Sequence, residues 1–158
     1  MMMGVGETAE HRVKHLLRLR DVQDETGGFT AFNCWTFVSD NTSVKPDGNT
    51  AADYLRTNAV SRLFPDNIKN VQASWVTQGP GVAQAALHMG ANDYGSVMLE
   101  ENVVSAAGST FAMTIDEVER HIRGAGFVPV RRNMRYDHVG GALTVGRVNE
   151  IRLAFGLR

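Results

Sequence analysis

Val71-Gln72-Ala73-Ser74-Trp75-Val76-Thr77-Gln78-Gly79-Pro80-Gly81 is the stretch from which the fold is read. Apolar and polar residues alternate from Val71 to Val76, which predicts a strand. Gly79-Pro80 then opens a helix, since proline is tolerated at the first helical position, and Gly90 closes it. A strand feeding directly into a helix is one βα unit, and the pattern repeats on both sides. Towards the N-terminus, Met1 to Val5 reads as the end of a strand, and Thr8 caps a helix carrying Val13, Leu16, Leu17 and Val22. Gly27-Gly28 stops that helix, and the aromatic, Thr-rich run Phe29 to Val38 predicts a buried strand. A polar loop follows, and Thr50 with Asp53 approximates a capping box for a helix using Leu55, Ala59, Leu63 and Phe64.

Towards the C-terminus, Gly95 to Leu99 predicts a fourth strand, with Asn92-Asp93 as the turn before it. Thr114 and Glu117 form a capping box for a helix ending at Gly124 or Gly126, and Val128 and Val130 extend a further short strand. The tail from Val139 to Arg158 is Gly-rich, then weakly helical around Val148, Ile151 and Leu153. Repeated strand-then-helix units imply an α/β fold of parallel strands with helices outside. Four units make about half of a (β/α)8 barrel of ~250 residues. A small doubly wound sheet is the alternative.

The 158 residues suit one domain, and 43% hydrophobic with 21% charged residues is a globular balance. A net charge of −1 gives no electrostatic reason to expect nucleic acid or an anionic membrane as partner. No apolar run approaches the ~20 residues that span a bilayer, and the N-terminus has no signal-peptide pattern. One cysteine, Cys34, excludes an internal disulfide and reads as a small buried hydrophobe. The expectation is a cytoplasmic protein. The patterns CxxC, HExxH, GxSxG and GxxxxGK[ST] are absent. His11 and His15 share a helix face, which suits a mixed polar face better than a metal site, and no metal ligand is expected.

Four stretches at predicted strand ends could carry chemistry, because barrels of this kind work at that face. In Gly4-Val5-Gly6-Glu7-Thr8, two glycines allow close approach of a ligand, and Glu7 faces the positive end of the next helix. A tight, capped turn explains the same residues. Trp35-Thr36-Phe37 with Ser39-Asp40-Asn41-Thr42 suits a planar, hydroxylated ligand, or equally a core strand entering a turn. Gln72, Ser74 and Gln78, if inward-facing, need partners or a ligand. Glu100-Glu101-Asn102 follows the fourth strand directly, so either one carboxylate serves a polar pocket or both lie in a solvated turn.

Taken together, GVGET, LLRLRDVQDETGGFTAF, CWTF, DNT, ASWVTQG, GANDYGS and MLEENVVSAAG resemble the dehypoxanthine futalosine cyclases. These are radical S-adenosylmethionine (SAM) enzymes of the futalosine route to menaquinone, related to aminofutalosine synthase and deazaflavin cofactor synthase. The resemblance runs from Met1 to about Arg132 and implies domain bounds of 1–132 for the C-terminal half of a radical SAM barrel, with 133–158 as a divergent tail. It also implies SAM and a [4Fe–4S] cluster as cofactors and a nucleoside-like substrate. Gly4, Gly6, Glu7 and Thr8 match the family's GxGET stretch near SAM, while Trp35, Trp75, Gln78, Glu100, Glu101 and Asn102 match positions facing the substrate cavity. No individual catalytic step is assigned.

The departures are as informative. The family holds its cluster with CxxxCxxC, and one cysteine cannot supply three thiolates. The expectation is therefore a fragment or split-gene product that needs the N-terminal barrel half, or else self-associates. The rival expectations are an inactive remnant or binding subunit for a nucleoside-like ligand, and one of the two related synthases.

Overall fold

Both strand pairings are parallel in the computed structural model, which describes residues 1–39, 41–45, 48–97, 106 and 110–139. Strand β1 (Met2–Met3) leads through helix α1 (Ala9–Thr26) to β2 (Ala31–Asn33) and β3 (Trp35–Thr36). Helix α2 (Ala51–Leu63), β4 (Asn70–Gln72), the short α3 (Trp75–Gln78) and α4 (Pro80–His88) follow, and α5 spans Ile115–Gly124. β2 and β3 are two parts of one extended run broken at Cys34; β3 pairs with β1 and β2 with β4. On the far side of β4, Asp93 makes a parallel bridge to Gln72. Neighbours in space are thus neighbours in sequence, as repeated βα units dictate.

Three helices start where a side chain satisfies the first free backbone N–H groups. Thr8, Thr50 and Thr114 each cap, with His11, Asp53 and Glu117 completing a capping box. The third box was read from the sequence, and the second was read there as an approximate one. The core lies between the strands and α1, α2 and α4. Met3, Leu16, Phe32, Tyr54, Val71 and Leu87 are buried there, and Cys34 is buried with them against Met3.

The strands are shorter than the apolar runs suggest. The run expected from Phe29 to Val38 pairs only over residues 31–36, and the one from Val71 to Val76 ends at Gln72. Side-chain competition explains the second case. Ser74 N donates to the Tyr54 hydroxyl at 2.8 Å instead of to a strand, and Gln78 N and Gly79 N then turn back to Ser74 O and Trp75 O. The fourth strand also starts elsewhere. Asn92 N donates to Val71 O and Ala73 N to Asp93 O, so Asn92-Asp93 lies along the sheet and is not a turn before it. Gly95, Ser96 and Val97 carry no strand, and residues 98–99 lie outside the described residues, as does the expected helix around Val148. Val128 and Val130 form no strand; instead Arg132 bridges His138 in an antiparallel hairpin.

Candidate functional site

The carboxyl ends of β1, β3 and β4 carry three of the four stretches read as candidate sites. The turn after β1 is organised by Glu7. Its carboxylate folds back to accept Gly4 N at 3.0 and 2.9 Å and Val5 N at 3.0 Å. Arg12 closes the arrangement from one turn into α1, with Nη2 at 2.6 Å and Nε at 3.0 Å from Glu7 Oε1. The same guanidinium donates to Asn49 Oδ1 at 2.7 Å and to Thr57 Oγ1 at 3.3 Å, tying together the turn, the loop before α2 and α2 itself. Burial pushes the Glu7 carboxyl up, but the N–H groups of Val5, Gly4 and Glu7 and the Arg12 guanidinium outweigh it and bring it down to about 2. Glu7 is therefore held ionised inside its own turn, and Thr8 is committed to capping α1.

Gly4 and Gly6 both have positive φ, at 92° and 99°, where a side chain would be strained. A Cβ at Gly4 would lie 3.0 Å from Asn49 Nδ2, whereas a Cβ at Gly6 would meet nothing within 4 Å. Asn49 Nδ2 is itself buried and without a hydrogen-bond partner. The turn thus presents an open backbone face beside an orphaned donor, which is what a ligand with acceptor atoms needs.

Trp35 lies on β3 with 43% of its surface exposed, while Trp75 opens α3 and is 2% exposed within the core. Gln78, at the end of α3, donates its amide to the Thr36 hydroxyl and so joins the ends of β3 and β4. Ser74 hydroxyl pairs with Thr77, so that polar group is satisfied without a ligand. The structure thus brings Gln78 to the strand that bears Trp35. Glu100, Glu101 and Asn102 lie outside the described residues.

A second feature was not read from the sequence. A cavity of about 440 Å³ opens between residues 92–97, α5 and residues 129–134, and none of the candidate residues above lines it. Its polar end is a largely buried ion pair. Arg132 Nε and Nη2 both reach Asp93 Oδ2 at 2.6 Å, and Asp93 Oδ1 accepts Gly95 N at 2.7 Å. Asp93 follows Asn92 in a polar stretch and Arg132 sits between Arg131 and Asn133, so nothing in the spacing announces that they pair.

Among the described residues no three His, Cys, Asp or Glu side chains converge as metal ligands. Burial pushes the Cys34 thiol up to about 12, far from the thiolate that binds iron. Among the described residues no helix is long and apolar enough to cross a membrane.

Against this geometry stand the known proteins the chain is similar to. The sequence model of the CofH/MqnC C-terminal region matches residues 26–144. Cyclic dehypoxanthine futalosine synthase of Halalkalibacterium halodurans is 50% identical over 138 residues, covering 87% of this chain and 37% of that protein. The protein of the same name from Streptomyces coelicolor is 48% identical over 142 residues, covering 88% of this chain and 35% of that one. The 5-amino-6-(D-ribitylamino)uracil–L-tyrosine 4-hydroxyphenyl transferase of Archaeoglobus fulgidus is 42% identical over 143 residues, covering 87% and 41% respectively. The chain therefore spans well under half the length of these curated relatives.

Proposed function

The chain belongs to the CofH/MqnC C-terminal region family, and on that premise we propose that it is the C-terminal part of a radical SAM cyclase acting on dehypoxanthine futalosine. The observation that carries this reading is 50% identity across 87% of the chain to a protein named for that reaction. The parallel neighbour order supports a contribution to a (β/α)8 barrel, with residues 1–132 in the half-barrel and 133–158 as its tail.

SAM fits the residues present. The open face at Gly6 and the orphaned Asn49 Nδ2 beside Gly4 suit the acceptor atoms of an adenosine group. When bound, SAM supplies the 5′-deoxyadenosyl group on which the family's chemistry depends. The chain's own residues bind and orient. Glu7 and Arg12 hold the Gly4–Gly6 backbone in place, and Thr8 fixes the start of α1. Trp35 offers an exposed indole face for a planar substrate, Gln78 is steadied by Thr36, and Trp75 supports the wall from within the core. The resemblance alone assigns Glu100, Glu101 and Asn102 to the substrate. An iron–sulfur cluster does not fit: the single cysteine is buried with its proton firmly held, so no step here runs through a cluster. On this reading the cluster is held outside these 158 residues, in a cytoplasmic enzyme. The 42% identity to the hydroxyphenyl transferase favours, as second reading, a related synthase with a different substrate.

The test combines this chain with the N-terminal portion of the Halalkalibacterium relative and measures turnover of dehypoxanthine futalosine. Cyclic product above that of either part alone is expected, with Glu101→Gln lowering turnover by about 100-fold if its carboxylate contacts the substrate. Consumption of 5-amino-6-(D-ribitylamino)uracil with tyrosine instead would establish the second reading. No turnover of either would leave a binding subunit or remnant.

A further inference from the structure

Tyr136 is the only non-glycine residue with positive φ among the described residues, at 66°. A bulky side chain in that region is strained, and such strain persists only where surrounding contacts hold it. The contacts are visible. Tyr136 N donates to Asn133 O at 3.1 Å, and Asn133 Oδ1 accepts from Arg135 N and Asp137 N, forming a tight turn at the hairpin tip. Glycine or asparagine would occupy such a turn without strain. The tyrosine ring instead lies 4.0 Å from the Arg132 guanidinium. Cation–π attraction to Arg132 is what the strained backbone secures.

Arg132 is in turn fully committed. Its Nε and Nη2 grip Asp93 Oδ2 and its Nη1 donates to Asn133 O at 3.1 Å. Asp93 neutralises its charge, which argues against an anion-binding role. What Asp93 does with its other oxygen is hold Gly95 N at 2.7 Å. Gly95 has a φ of +90°, and a Cβ there would lie 3.0 Å from Gln72 Nε2 and 3.6 Å from Trp75 Nε1. The Gly95 backbone thus closes over both side chains at the carboxyl end of β4.

We propose that Asp93, Arg132 and Tyr136 form a positioning latch that fixes the Gly95 backbone and, through it, the Gln72 amide and the Trp75 indole. Residues 39 positions apart in sequence are thereby made to set one wall of the strand-end face. The latch rests on the fold alone; only its value to substrate binding rests on the function proposed above.

The experiment is amide hydrogen exchange at Gly95 in the full chain, read beside Leu16 in α1, together with Trp75 emission in a Trp35→Phe background. Arg132→Met is expected to speed Gly95 exchange by about tenfold beyond any acceleration at Leu16, which reports the global stability, and to shift Trp75 emission to longer wavelength. Arg132→Lys, which keeps the charge but loses the two-pronged grip, should not rescue either signal. Tyr136→Phe keeps the ring and should stay within about twofold of the parent. Tyr136→Gly decides the matter by sign. As a strained turn residue alone, its replacement by glycine would stabilise the hairpin and leave Gly95 protected or better protected. As the clasp of a latch, it should expose Gly95 as Arg132→Met does. Unchanged or slower Gly95 exchange in Tyr136→Gly, or equal acceleration at Gly95 and Leu16 in Arg132→Met, overturns the proposal. Neither signal needs ligand or turnover, so failure here leaves the functional reading standing, and the converse holds.

Discussion

Two carboxylates sit at strand ends in this molecule, each gripped by an arginine, and they are built differently. Glu7 finds Arg12 five residues away on the next helix turn, and backbone N–H groups of its own turn supply the rest. Asp93 is met by an arginine from a distant hairpin, with a side chain only 7% exposed against 15% for Glu7. The first is a local device, assembled as soon as α1 forms. The second exists only when the tertiary structure does. If its arginine is removed, Glu7 keeps the N–H groups of Gly4 and Val5, whereas the more deeply buried Asp93 keeps only Gly95 N and loses its countercharge.

That contrast predicts unequal costs. Arg132→Met should destabilise the chain by about 3–5 kcal/mol in urea denaturation, because Asp93 is left buried without its countercharge. Arg12→Met should cost only about 1–2 kcal/mol, since Gly4 and Val5 still serve Glu7. Equal costs would break the comparison. Thr8→Ala removes one capping bond from α1 and should cost about 1 kcal/mol by the same measurement. A further effect is confined to acid. Glu7 ionises near 2 when folded against an ordinary 4.5, so its stabilisation is complete above about pH 4.5 and is lost as pH falls towards 2. The melting-temperature gap between the parent and Glu7→Gln should therefore close over that window, and a gap that widens in acid would contradict the assignment.

The same contrast explains what could be read from the sequence. Helix starts at Thr8, Thr50 and Thr114 were legible because the cap residue is local, and for Thr50 and Thr114 the reciprocal partner three residues on was legible too, whereas His11 was not read as the partner of Thr8. The GVGET turn was legible as unusual for the same reason, although Arg12 was not identified as its partner. Strand lengths were not legible, because the end of β4 is set by the Tyr54 hydroxyl, 20 residues away from Ser74. Asn92-Asp93 read as a turn because both residues favour turns locally, while the bond from Asn92 N to Val71 O puts them on the sheet. Trp75 was expected at the face and lies in the core, since α3 replaces the last part of the expected strand. The Asp93–Arg132 pair and the cavity beside it depend on a fold-level meeting that no spacing announces.

On the function proposed above, this parallel sheet is one part of a barrel completed by strands from elsewhere. Among the described residues, β1 pairs on one side only, with β3, and its other edge offers unpaired backbone groups. The most direct measurement is light scattering of the purified chain at micromolar concentration, alone and with the N-terminal portion of the Halalkalibacterium relative. The account predicts self-association of the chain alone, replaced by a one-to-one complex when the complementary strands are supplied. A monodisperse, cooperatively melting monomer that ignores those strands would show a sheet already closed, and would contradict it.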